Sequence, residues 1–169
     1  MVGDSVFLSF EEKQKRTPKN NGHWTGERGN SRFYSYKDSV KEMGAEYVEY
    51  INGEPDFRRF SKCTVEIMSM TNDRYPYSEY FKSNFEQAYP EIAKKLGIKE
   101  SQVKKWLREN HYTIHEASDL KTIYVIPTEI HKTYIHAGGV AEVNEYEHEK
   151  YEDELIENAI NSDMDLHHF

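Results

Sequence analysis

The hydrophobic pattern of the chain changes from a two-residue period to a helical period about halfway along. The stretch YVEYINGEPDF at 47–57 alternates and then meets Asn-Gly and Pro, which predicts a short strand entering a turn. TVEIMSM at 64–70 predicts a second strand. From Ser83 the spacing is helical, and NFEQAYPEIAKKLG predicts one or two helices, interrupted near Pro90 and stopped by Gly97.

The pattern that follows predicts another helix and then a hairpin with its own short helix. KESQVKKWLREN has apolar residues on one face and Ser101 as a candidate cap. YTIHE and TIYVI, separated by the polar ASDLK, predict a β-hairpin. Pro127 should close the second strand, and Thr128 can cap a short helix, EIHKTYIH, that ends at Gly138 and Gly139. The last well-patterned unit is therefore strand, turn, strand and short helix.

The two ends of the chain carry weaker patterns. Residues 11–32 are rich in Gly, Asn, Pro and Lys and predict irregular, basic surface chain. We therefore divide the chain into an irregular segment at 1–19, a folded domain at 20–142 and an acidic, partly helical tail at 143–169. The predicted fold class is α+β, a hairpin–helix unit at about 111–139 supported by helices and short strands.

Charge is distributed unevenly. The net charge is −8, but residues 142–169 hold ten of the 30 acids and one of the 22 bases, which leaves residues 1–141 with a net charge of +1. Total charge therefore excludes no partner, nucleic acid included. The single Cys63 excludes an intramolecular disulfide. No apolar run reaches the length of a membrane span and the amino terminus lacks a signal-peptide pattern, so we expect no membrane association.

Three of the eight histidines, His115, His131 and His136, lie within 22 positions in the hairpin–helix unit. Imidazole is a common ligand of divalent transition metals, and three protein ligands with an open position are typical of a catalytic site. The alternative is that the three are ordinary surface or hydrogen-bonded histidines that bind no metal. A five-residue spacing sets side chains about 140° apart on an ideal helix. His136 can therefore join the site only if the helix ends before it.

The combined string YTIHE, a polar turn, VIPTEIH and HAGGV resembles the HNH/endonuclease VII superfamily, most closely the WHH/LHH-type nuclease domains of bacterial polymorphic toxins. HWTGERGNSRFYS, YINGEPDFRRFSKCTVEI and MTNDRY agree with it upstream, so the resemblance covers about residues 20 to 142. It implies a ββα-metal finger in which His115, His131 and His136 hold one divalent ion (Mg, Mn, Ni or Zn). Glu116 stands where many members carry the general-base histidine, and the base is Glu116 or His115 itself.

The resemblance also implies a biological role. The chain would be a metal-dependent endonuclease that hydrolyses DNA and serves as the toxin domain of a larger secreted or delivered bacterial protein. It would act in the target-cell cytoplasm in bacterial competition and be neutralised by a cognate immunity protein. We expect phosphate contacts from basic side chains, namely Arg28, Arg32, Lys104, Lys105, Arg108 and Lys132.

A second interpretation is a non-catalytic module. IAKKLGIKESQVKKWLRE has the apolar spacing of a helix-turn-helix, with a glycine in the turn and bases on the second helix. Such a module would bind nucleic acid without cleaving it. In a related alternative, the acidic tail blocks or imitates nucleic acid, although a solvated extension is the simpler reading of that tail.

Overall fold

Two small antiparallel sheets and the helices around them make up the computed structural model, which describes residues 8–68, 70–71, 82–141 and 155–161. The fold is α+β, which confirms the predicted class. Within the described residues, no helix is both long enough and apolar enough to span a membrane.

The first sheet has the order β1-β2-β3-β4, with every neighbouring pair antiparallel. Its strands are β1 (Gly22–Trp24), β2 (Arg32–Ser35), β3 (Tyr47–Ile51) and β4 (Glu54–Pro55), with helix α2 (Asp38–Glu42) between β2 and β3. Asn52 and Gly53 join β3 to β4 with φ values of 52° and 81°. Two positive φ angles in a two-residue loop characterise a type I′ hairpin turn, so the turn predicted at Asn-Gly is confirmed.

The prediction of irregular chain near the amino terminus is wrong for several residues. Helix α1 (Phe10–Lys15) is capped by Ser9, whose side chain accepts a hydrogen bond from the Glu12 amide. Strand β1 and part of β2 also lie in the stretch predicted as irregular. Lys13 is fully buried, with Nζ 3.9 Å from Oε2 of the buried Glu54. Packing of α1 against the β3–β4 hairpin therefore overrides a local composition that favours loops.

The second sheet has the order β5-β7-β6 and contains the predicted hairpin. Its strands are β5 (Cys63–Glu66), β6 (Tyr112–Glu116) and β7 (Thr122–Pro127), and β7 pairs antiparallel with both neighbours. The predicted β-hairpin is confirmed, and β7 ends at Pro127 as expected. The strand predicted at 64–70 ends earlier, at Glu66.

Helix α3 (Asn84–Leu96) is a single helix, so the predicted interruption at Pro90 is wrong. Ser83 and Glu86 form a capping box at its start, and Gly97 ends it in the left-handed conformation with φ 67°, as predicted. Proline removes one backbone hydrogen bond from the helix interior. The helix nevertheless continues through Pro90, because Ala88 and Ile92 on either side of it are fully buried in the core.

Two shorter helices follow, and both begin differently from the prediction. Helix α4 (Val103–Glu109) is entered through a 3-10 turn at Glu100–Gln102. Ser101 lies inside that turn and does not cap α4. The N-cap position of α4 is occupied by Gln102. Helix α5 (Thr128–Thr133) follows β7 directly, and Pro127 flanks its start without a side-chain cap. The Thr128 hydroxyl instead lies 2.6 Å from the Thr113 hydroxyl on β6.

The core has two parts, separated by the β5-β7-β6 sheet. On one face, α3 and α4 pack against Val65, Ile114, Ile123 and Val125. On the other, Ile126 and the α5 side chains pack with the first sheet and α2 through a cluster of Phe33, Val40, Val48, Tyr50, Phe57, Ile130 and Tyr134. The sheet is therefore covered on both faces, and α5 and α4 lie on opposite sides of it.

The carboxyl-terminal tail is described only in part. Residues 155–161 are helical and exposed, in agreement with a partly helical tail. Residues 142–154 and 162–169 lie outside the described residues, and so does the MTNDRY stretch beyond Thr71. The proposed domain boundaries at 20, 142 and 143 stay predictions.

Candidate metal centre

The hairpin and the helix after it bring His115, His131 and His136 together. Side chains alternate along a strand, so His115 points to the opposite face from its neighbour Ile114 and lies opposite Tyr124 of β7. That face is the one on which α5 packs, and α5 carries His131. The chain then returns past the end of β6 with His136. Any ligand role of the three side chains depends on this convergence.

Helix α5 ends at Thr133, so the prediction that it extends through residue 136 is wrong and the condition for His136 to join is met. Tyr134 is buried and its hydroxyl donates to the Ala45 carbonyl at 2.6 Å. The Tyr50 hydroxyl donates to the Ile135 carbonyl at 2.9 Å. Because these two tyrosines fix the chain beyond Thr133, His136 turns towards the other histidines instead of following the helix.

The three imidazoles have the proximity of ligands to one ion. One nitrogen from each lies within 4.8 Å of the others, and the ring centroids are 4.7 to 5.5 Å apart. His136 Nε2 and His115 Nδ1 face each other at 3.1 Å. The ring of Phe57 packs beside all three, at centroid distances of 5.0, 6.1 and 5.4 Å. The contact of Phe57 with the histidines was not predicted from the sequence, because no local pattern around residue 57 indicates which distant residues it will contact.

A backbone contact orients His136. Its Nδ1 lies 2.8 Å from the Tyr134 carbonyl. With the proton on Nδ1, this nitrogen donates to the carbonyl and Nε2 keeps a free lone pair directed at His115. Metal-binding histidines are commonly oriented by such a second hydrogen bond, which fixes both tautomer and ring angle.

Burial keeps the imidazoles of His115 and His136 neutral. Loss of solvent, followed by the charges of His136 and His131, holds the pKa of His115 well below its ordinary range, and the side chain is 2% exposed. Burial first and the charge of His131 second lower the pKa of His136 to about 4. A neutral imidazole is the form that binds a metal. Both side chains are therefore in the ligand state at neutral pH.

The donor set fits a divalent transition metal. Two nitrogens on a tetrahedral zinc ion lie about 3.4 Å apart, because Zn–N bonds are about 2.0–2.1 Å long. The 3.1 Å separation of His136 and His115 is close to that value, and small ring movements would bring in His131. The histidines line an open cavity of about 400 Å³ that also includes Glu116 and Lys132. Three protein ligands facing open space are the arrangement of a catalytic rather than a structural site.

Glu116 lies at the end of β6 and is 4% exposed. Its Oε2 accepts a hydrogen bond of 2.6 Å from Nδ2 of Asn84, the first residue of α3. Asn84 also binds both the amide and the carbonyl of Thr71, so its position is well determined. Strand alternation puts Glu116 on the α3 side, yet it lines the histidine cavity because the strand stops there. The sequence reading treated Asn84 only as part of a helix.

The segment after His136 passes very close to the loop beyond Glu116. A Cβ atom on Gly139 would lie 2.4 Å from the Ala117 carbonyl and 2.3 Å from the Met70 sulfur. Only glycine has no Cβ, so Gly139 permits this approach. The two glycines at 138 and 139, predicted as a helix stop, serve here as a close-packing contact.

The predicted phosphate contacts fall into different surroundings. Lys132 lines the histidine cavity and is paired with Glu129 at 3.1 Å. Arg32 is exposed on the first sheet and bonded to Glu49 at 2.9 Å. The Arg28 guanidinium is engaged in intramolecular hydrogen bonds, which it donates to the carbonyls of residues 15 and 17. Of these three arginines and lysines, Lys132 is the one at the histidines.

The remaining three predicted contacts, Lys104, Lys105 and Arg108, are exposed on α4. Because α4 packs on the opposite face of the β5-β7-β6 sheet from α5, the structure does not bring them to the histidine cavity. Any contact they make with a ligand would be separate from the candidate centre.

One family model matches this chain. It describes the DNase/tRNase domain of colicin-like bacteriocins and covers residues 47–138, just over half of the sequence. The matched region runs from β3 to Gly138 and includes all three histidines, Glu116, Asn84 and Phe57. No curated protein matches the chain significantly.

Proposed function

Because this chain belongs to the family of DNase/tRNase domains of colicin-like bacteriocins, a family of toxin nucleases, we propose that it is a metal-dependent endonuclease of the HNH type that hydrolyses DNA. The observation that carries the proposal is the convergence of three imidazoles on an open cavity at the junction of a hairpin and a helix. In this proposal residues 111–139 are the ββα-metal finger of a nuclease domain that spans about residues 20–142. Helix α1, just before that range, packs against it.

His115, His131 and His136 are the proposed ligands of one divalent ion. When bound, such an ion supplies positive charge that polarises the scissile phosphate and stabilises the leaving 3′ oxygen. Three neutral imidazoles leave that charge undiminished. We leave the ion as Mg, Mn, Ni or Zn, because the donor set alone does not choose among them. Lys132, at the cavity edge, is placed to neutralise a phosphate oxygen.

Glu116 is the proposed general base. Its carboxylate lines the same cavity and is oriented by Asn84, so it can take a proton from water. The water oxygen then forms a bond to phosphorus, the bond from phosphorus to the 3′ oxygen breaks, and the leaving oxygen takes a proton from solvent. His115 is the alternative base, but as a buried ligand it would have no free nitrogen facing the water.

Membership of this family supports a proposal for the biological setting. We propose that the chain is the toxin domain of a larger bacterial protein, delivered into the cytoplasm of a competing cell. A cognate immunity protein would protect the producer. The family description names both DNase and tRNase domains, so RNA belongs in every assay beside DNA.

Incubation of the purified chain with plasmid DNA and with tRNA tests the activity. Mg²⁺, Mn²⁺, Ni²⁺ and Zn²⁺ are added singly, and one sample contains EDTA. We expect plasmid cleavage with at least one ion, none in EDTA, and none from His131→Ala. His23→Ala is the matched control, since His23 is exposed on β1 and stacks on Tyr34. Absence of cleavage with every ion would refute the enzyme. Cleavage by His131→Ala at the normal rate would refute the ligand set.

The non-catalytic alternative has one observation in its favour. Helices α3 and α4 are joined by a turn at Gly97, and α4 presents Lys104, Lys105 and Arg108 to solvent. A binding module of this kind would retain DNA binding after His131→Ala and lose it after Lys104→Gln with Lys105→Gln. That pattern without cleavage would favour the alternative.

A further inference from the structure

A second cavity, larger than the first, continues from the candidate centre. It has a volume of about 850 Å³ and shares Lys132 and Ile135 with the histidine cavity. Its other lining residues include Lys15, Lys19 and Lys37. We call it the basic groove, since it is lined by these four lysines and by no acidic residue. A chain leaving the histidine cavity past Lys132 would enter it directly.

The charge of the basic groove remains positive after its ion pairs are counted. Lys37 and Lys132 share one carboxylate, that of Glu129, at 2.5 and 3.1 Å. Lys15 and Lys19 are exposed and line the groove from the end of α1 and the segment after it, which form one of its walls. Four positive charges therefore face one negative charge that lies outside the lining.

The wall that carries Lys15 and Lys19 is held in place by the protein. The Arg28 guanidinium donates to the Lys15 carbonyl at 3.2 Å and to the Thr17 carbonyl and hydroxyl at 2.9 and 3.0 Å. Trp24 Nε1 donates to the Pro18 carbonyl at 3.0 Å. Arg28, predicted as a phosphate contact, instead shapes this wall. The groove is therefore a fixed feature of the fold.

Resting on the proposed function, we propose that the basic groove binds the backbone phosphates of the nucleic-acid strand beside the cleaved bond. Lysines act on phosphates as point charges without base preference. Tyr36, 60% exposed at the groove, offers a ring on which a base can stack. Lys15, Lys19 and Lys37 lie before the family-matched region. This part of the substrate site therefore belongs to the chain upstream of the family's motif.

Binding measured without catalysis tests the groove. Fluorescence anisotropy with a labelled DNA duplex in EDTA, over a series of salt concentrations, compares the normal chain with two double variants. One is Lys15→Gln with Lys19→Gln. The other, Lys94→Gln with Lys95→Gln, makes the same charge change in the last turn of α3, across the sheet. We expect the groove variant to bind more weakly, on the order of tenfold per lysine at 0.1 M salt, with a salt slope lower by about 1 per lysine.

The α3 variant should bind like the normal chain, and equal melting temperatures would show that both variants are folded. Equal losses in the two variants would mean that only net charge matters and would overturn the groove. So would unchanged binding by the groove variant, or no binding by the normal chain at low salt. An RNA duplex of the same sequence identifies the polymer, and the same lysine dependence is expected on whichever binds. If binding depends on the groove lysines but no metal supports cleavage, the proposed nuclease activity is refuted, while the proposal that the basic groove binds nucleic acid is retained.

Discussion

The two faces of the β5-β7-β6 sheet are built from the same strands but have different contents. On the α3 and α4 face, Ile114, Ile123 and Val125 are buried among other apolar side chains. On the α5 face, His115 alternates with these residues and is equally buried, but beside two other imidazoles and an open cavity. The first face contributes stability through burial of apolar surface. The second face also buries an apolar cluster, but around the histidines it desolvates polar groups, which costs stability and holds His115 and His136 neutral.

Glu116 is the exception to this division. It has the strand parity of the apolar face, yet it is a buried acid that reaches the cavity at the end of β6. Asn84 supplies the hydrogen bond that a buried carboxylate needs. At the end of β6, therefore, a side chain with the parity of the apolar face lies at the histidine cavity. This position is what allows Glu116 to be proposed as the general base.

The largest expected effect comes from Glu116→Gln. Glutamine keeps an oxygen that can accept from Asn84, so the fold should be retained while the base is lost. We expect the cleavage rate to fall by about 10²- to 10⁴-fold, the usual contribution of a general base. Metal affinity, measured by calorimetry, should be unchanged, because Glu116 is not one of the three ligands.

Glu66→Gln is the matched control for that change, since Glu66 is exposed on β5 at the far edge of the sheet. A cleavage rate within a few-fold of normal in Glu116→Gln would contradict the assignment of the base. Glu116 would then have only a structural role, and no residue of the apolar face would take part in catalysis.

Ile123→Ala tests the apolar face. Ile123 is fully buried against α3 and α4, and truncating such a side chain leaves a cavity. We expect the free energy of unfolding to fall by about 2–5 kcal/mol in chemical denaturation. Cleavage per folded molecule should stay normal at a temperature where the variant is folded.

Ile51→Ala is the control for this prediction, because Ile51 is 37% exposed and should change stability by less than about 0.5 kcal/mol. If Ile123→Ala lost activity in proportion to a loss of metal affinity, the two faces would be coupled. The comparison drawn above would then be wrong.

Tyr50→Phe has the smallest expected effect and tests how His136 is placed. The change removes the hydroxyl that donates to the Ile135 carbonyl and leaves the aromatic ring in place. We expect metal affinity to fall by about tenfold, the lower end for a group that orients a ligand. The free energy of unfolding should fall by about 1 kcal/mol.

Tyr36→Phe, at an exposed tyrosine, should leave metal affinity unchanged. Unchanged metal affinity in Tyr50→Phe would show that the end of α5 is set by other contacts. Calorimetric titration of the metal-free chains with one ion, Zn²⁺ or Ni²⁺, gives the comparison directly.

Much of the candidate centre could be predicted from the sequence, because its parts are neighbours along the chain. The hairpin of β6 and β7 and helix α5 form one continuous segment, and local pattern and turn chemistry determine such a unit. His115 and His131 lie on that unit, so their convergence required no distant contact. The stop of α3 at Gly97 and the Asn-Gly turn were equally local.

Tertiary structure decided what depends on distant residues. Helix α5 stops before His136 because Tyr50, 85 positions away, and the buried Tyr134 hold the chain there. Glu116 meets Asn84 across 32 positions. Lys13 is buried although its neighbours read as surface chain, and the basic groove unites residues 15–37 with α5. Side-chain patterns record which face of an element is apolar, but not which distant element covers it. The three histidines could therefore be identified from the sequence as candidate ligands, whereas their orientation and the groove beside them were decided by the tertiary structure.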